Sequence, residues 1–106
     1  MYYRFELVKD NKKSGLFHPL DEWNVPKEGG IYVLVPRYFE TLPYKKNFEG
    51  KSESWFKETG VTSYEDGLIA LKNFYSQYGI SVSKITIEHL DNIVDEDDFQ
   101  VWCSVD

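Results

Sequence analysis

Apolar positions recur along this chain at two periods, and those periods divide it into elements. The clearest run covers residues 62–79, where Tyr64, Leu68, Leu71, Tyr75 and Tyr78 fall at steps of four and three. Residues so spaced share one side of an α-helix, and Ile69 and Phe74 widen the stripe into a broad apolar face. Thr62 followed by Glu65 has the spacing of a capping box. Gly67 weakens the first turns by about 1 kcal/mol relative to Ala, and Gly79 supplies the left-handed residue that ends the helix. The pattern predicts one amphipathic helix over 62–79, with the other segments packed around it.

Period two dominates elsewhere. Tyr3, Phe5 and Leu7 alternate with Tyr2, Arg4 and Glu6, which predicts a strand over Tyr2–Val8 with one covered face. The polar stretch Lys9–Gly15 reads as a loop with a turn starting at Asp10-Asn11. In Leu16–Trp23 bulky apolar residues surround Pro19, and Asp21-Glu22 suits the first turn of a short helix. Gly29-Gly30 is a turn signal. Ile31–Val35 is an unbroken apolar and β-branched run ended by Pro36, which predicts a central strand covered on both faces. Ser54–Gly60 reads as a short helical turn carrying Trp55 and Phe56 into the core. Beyond the helix, Ile80 and Val82 have one parity and Ile85 and Ile87 the other, so a bulge near Ser83-Lys84 is expected. Phe99, Val101, Cys103 and Val105 alternate with Gln100, Trp102 and Ser104, a second half-buried strand. An acidic turn over 91–98 would join these last two strands as an antiparallel hairpin. The predicted fold class is α+β: a single domain over 1–106, with a small, mainly antiparallel sheet and the 62–79 helix across one face.

Charge changes this picture by dividing the chain. The net charge is −6, which argues against a general nucleic-acid binder and against an anionic membrane surface. Residues 1–53 hold nine Lys/Arg and eight Asp/Glu, whereas 54–106 hold three and ten, so an acidic surface is expected from the second half. Aromatic residues make up 17% of the chain, enough to supply contact surfaces as well as core. With one cysteine, no internal disulfide is possible, and no signal segment or membrane-length apolar run is visible. A cytoplasmic location is the default expectation.

The candidate chemistry is sparse. The acidic run holds Asp91, Asp95, Glu96, Asp97 and Asp98 but lacks the glycine and distal glutamate spacing of an EF-hand loop. A solvated hairpin tip is the plainer account, so no metal and no cofactor are expected. His18 and His89 have no partner pattern for zinc, and the alternation around Cys103 places its thiol inward. The segment 37–53 sustains neither period. It interleaves Arg37, Lys45, Lys46 and Lys51 with Tyr38, Phe39, Tyr44 and Phe48, a mixture enriched at protein interfaces. The residues expected to meet a protein partner are Arg37, Tyr38, Tyr44, Lys45, Lys46 and Phe48. Direct nucleic-acid binding is disfavoured by the net charge.

Three short words, YYRFE at the start, SWFKETG in the middle and DEDDFQV near the end, resemble in kind and order small uncharacterised proteins of phages and mobile elements. Some of these are thought to share an ADP-ribosyltransferase-like fold. The resemblance implies that Arg4 matches an NAD-contacting arginine, Ser54 the following serine and Glu96 the catalytic glutamate. SES stands where that family carries its paired serine and threonine motif. Three functions are therefore expected in order: a small acidic interaction domain without catalytic activity, a reduced ADP-ribosyltransferase-like enzyme, and an acidic mimic of nucleic acid that inhibits a DNA- or RNA-binding protein.

Overall fold

The computed structural model describes residues 1–42 and 51–105. Its elements are β1 (Tyr2–Lys9), β2 (Lys12–Gly15), α1 (Tyr32–Phe39), β3 (Ser52–Lys57), α2 (Glu58–Ser63), α3 (Glu65–Ser76), β4 (Ser81–Ile87), β5 (Ile93–Glu96) and β6 (Gln100–Ser104). The strands make a six-stranded antiparallel sheet in the order β2-β1-β3-β6-β5, with β4 paired to β1 off that path. The α+β class with a small antiparallel sheet is what the periodicity predicts. Contacts divide the chain into two compact units, one of residues 1–4, 41–63 and 85–106, the other of 5–40 and 64–84.

In the first unit β6 is the centre. It pairs with β3 from Ser52↔Ser104 to Phe56↔Gln100, and with β5 through Ile93↔Cys103 and Glu96↔Val101. β6 thus has a strand on each edge, and it is also covered on both faces, since Gln100, Val101, Trp102 and Cys103 are all buried. That corrects the half-buried strand expected from its alternation. Leu90, Val101 and Cys103 form the core of this unit, with Tyr2 and Trp55 packed against them. Tyr2 therefore covers the face of β1 expected to be open.

The acidic turn is also corrected. The hairpin partner of β6 is β5, a strand inside the acidic run, while β4 pairs with β1. The inward residues of β4 are Val82 and Ile85; their opposite parity is the phase change seen in the sequence. The predicted helical turn over Ser54–Gly60 is instead the end of β3 followed by α2.

In the second unit, β1 turns into β2 through Asp10 and Asn11, both at positive φ (52° and 62°). A two-residue connection with that geometry matches the twist of a hairpin. The register, Leu7↔Ser14 and Lys9↔Lys12, makes a strand of residues expected to be loop. Asp21–Trp23 forms the expected short helical turn. The 62–79 helix is two helices. Tyr64, at φ −111° and ψ 20°, separates α2 from α3, and no side chain caps α3. The Thr62–Glu65 box is thus not formed, because Thr62 is already helical within α2. The stripe itself holds, with Tyr64, Leu71 and Tyr75 buried, but Ile69 is exposed. Gly79 has φ 71°, as its place after the helix requires, and the Lys9 ammonium donates to the Tyr78 carbonyl beside it at 2.8 Å.

Candidate interaction surface

The β-branched run at 31–35 is the largest departure from expectation. It opens α1 rather than a central strand. Gly29 at φ 74° turns the chain, and a Cβ on Gly30 would stand 2.9 Å from the Phe74 ring, so the turn over Lys27–Ile31 comes in tight against α3. From there the inward residues are Ile31, Leu34, Val35, Tyr38 and Phe39, a helical spacing that runs straight through Pro36. Phe39 is buried, meets Phe17 edge-on at 5.0 Å between ring centroids and stacks on Tyr64 at 5.7 Å. Gly67 of α3 faces this end of α1 without a side chain: a Cβ there would lie 2.7 Å from Phe39 and 2.8 Å from Tyr38 Cβ.

The other side of α1 covers nothing among the described residues. Tyr32 is 62% exposed and Val33 42%, and Pro36, Arg37 and Glu40 are exposed with them. Tyr32 and Pro36, and likewise Val33 and Arg37, are four residues apart and therefore neighbours on the helix surface. The result is a compact apolar patch with a guanidinium at its edge. Arg37 makes no hydrogen bond or ion pair with any described residue. Of the residues expected to meet a partner, Arg37 lies in this patch, whereas Tyr38 is half-buried on the α3 side. Tyr44, Lys45, Lys46 and Phe48 lie outside the described residues. The predicted loop over 37–53 begins as the last turn of α1 and ends as β3.

The acidic residues are largely occupied by their own hairpin. Asp97 Oδ1 accepts from the amides of Phe99 and Gln100 at 2.8 Å each, and Asp95 Oδ1 accepts from the Glu96 amide at 2.8 Å. Glu96 pairs with Lys57 at 2.8 Å, an interaction that holds the Lys57 ammonium above its ordinary pKa. The Lys57 amide donates to the Phe99 carbonyl at 2.8 Å, and the Thr59 hydroxyl donates to the Asp98 carbonyl. A Cβ on Gly60 would stand 2.3 Å from that same Phe99 oxygen. The tip is thus gripped by the β3–α2 junction, and the Asp98 side chain is exposed there.

Arg4 and Ser54 are brought together, but through structure: Arg4 Nη1 donates to the Ser54 backbone carbonyl at 2.9 Å. Cys103 is buried, and burial, then Glu53 and Asp91, push its thiol pKa up, so it is a poor nucleophile where it stands. His89 lies 3.5 Å from Asp91 on the surface. Among the described residues no three His, Cys, Asp or Glu side chains converge to hold a metal, and no described helix is long and apolar enough to cross a membrane. No protein-family model, curated protein or solved structure matches this chain.

Proposed function

We propose that this chain is a small, non-catalytic protein-interaction domain that engages its partner through the outer face of α1. The observation that carries this reading is the pairing of a helix clamped on one side by Phe39 and Gly67 with an open patch of Tyr32, Val33 and Pro36 on the other. Tyr and Arg are the residues most often found at energetic centres of interfaces. A single exposed apolar residue needs no explanation, but three side by side on one helix, with an arginine that has no partner among the described residues, favour a contact surface.

The test is a photo-crosslinking residue at Val33 in the native cell, compared with one at Asn73 on the exposed side of α3. A partner captured from Val33 alone, whose binding falls at least about tenfold in the Tyr32→Ala variant with the fold intact by circular dichroism, is the expected result. Equal capture from both positions would place the partner elsewhere.

A further inference from the structure

The cations of the described chain are mostly spent. Arg4 and Lys9 cap backbone carbonyls, and Lys12, Lys27 and Lys57 are paired with Glu22, Asp21 and Glu96. Arg37 is exposed, has no partner among the described residues, and is adjacent to Val33 on the helix surface. A guanidinium is built to hold a carboxylate through two parallel hydrogen bonds. Glu40 lies one turn beyond Pro36 and disfavours a second carboxylate at that end, which fixes where an acid is welcome.

We propose that the partner presents an amphipathic polypeptide segment carrying an isolated acid, with a Leu-, Ile- or Phe-like side chain seated on Tyr32, Val33 and Pro36 and that one Asp or Glu held by Arg37. This rests on the docking face described above and adds the chemistry of its occupant. A phosphate would also suit Arg37, but a polyanion approaching a chain of net charge −6 is repelled at longer range, which favours an isolated carboxylate on a peptide.

The experiment pans a random dodecapeptide phage library against the whole chain and discards clones that also bind a folded Tyr32→Ala/Val33→Ser variant. The expected clones carry an acid beside an apolar residue. As synthetic peptides they lose at least about tenfold in affinity for Arg37→Glu, and a peptide with Lys in place of its acid regains binding to that variant. Face-dependent clones without an acid, or indifferent to Arg37→Glu, would overturn the acidic partner while leaving the docking face in place. A library with no face-dependent clones would overturn both. A single-stranded oligonucleotide that needs Arg37 and displaces the peptides would replace the acidic segment with nucleic acid.

Discussion

At the scale of single residues, the tightest constraints are two glycines and one tyrosine. An Ala at Gly60 or at Gly67 gains about 1 kcal/mol of helix propensity, but each adds a carbon where there is no room. At Gly67 the obstruction is chiefly the Phe39 ring and Tyr38. At Gly60 it is the Phe99 carbonyl at 2.3 Å, itself bound by the Lys57 amide, and backbone so held cannot swing aside. Gly60→Ala is therefore expected to lose about 1–3 kcal/mol, the usual cost of overpacking, and more than Gly67→Ala. Denaturant midpoints in the reverse order would mean that the hairpin tip yields more easily than the α1–α3 contact. The Tyr75 hydroxyl donates to the Leu16 carbonyl at 2.7 Å in a fully buried position. Tyr75→Phe leaves that oxygen without its donor and should cost about 1–3 kcal/mol. Burial pushes the Tyr75 phenol pKa well above its ordinary value. A group whose neutral form is favoured by folding contributes fully below its unfolded pKa, about 10 for Tyr, and loses that contribution as pH rises further. Alkaline titration of stability should fall more steeply for wild type than for Tyr75→Phe; parallel curves would show that Tyr75 ionises without unfolding the protein.

At the scale of elements, the sequence was legible wherever one face is buried and the period is unbroken. Tyr64, Leu71 and Tyr75 lie inward as their spacing predicts, and β1, the Asp10-Asn11 turn and the Gly79 terminus all fall where local chemistry puts them. Leu71 is wholly buried, so Leu71→Ala is expected to cost about 2–5 kcal/mol at unchanged denaturant slope. The misreadings share a cause. By its β-branched residues and its end at Pro36, IYVLV has the look of a strand, although Ile31, Val35 and Phe39 continue at a step of four beyond it; packing against α3 overrides propensity there. The break at Tyr64 was hidden because a capping box and an N-terminal extension look alike until the backbone is known. Thr62→Ala checks this point. With Thr62 inside α2 and no cap bond formed, the change should stay within about 0.5 kcal/mol, whereas a working cap would cost about 1. The contact patch escaped for the same reason as α1: Tyr32, Val33 and Pro36 share a face only if the segment is helical.

At the scale of the molecule, the sheet has an open margin at β5, where Ile93 and Val94 are 46% and 48% exposed. Among the described residues β5 has β6 as its one neighbour, so its other margin presents backbone groups that another strand could pair with. Three features oppose this. The register slips between Ile93 and Asp95, which bends the strand away from a flat template; Asp95 takes up the Glu96 amide; and residues 85–106 carry seven acids and no Lys or Arg, so two copies meeting along this margin bring like charges together. The acidic run, read from sequence as a solvated tip, is then a guard along a strand. Replacing Asp95, Glu96 and Asp98 by Thr, while keeping Asp97 to cap the turn, should leave the fold intact and raise the weight-average mass with concentration in sedimentation experiments. Molar salt, which shortens the screening length to about 3 Å, should move wild type in the same direction. If the variant's mass stays as flat as that of wild type, and salt has no effect, then the bend alone suffices to protect the margin, since the variant also lacks the Asp95 carboxylate that takes up the Glu96 amide, and the acids are free to serve a partner instead.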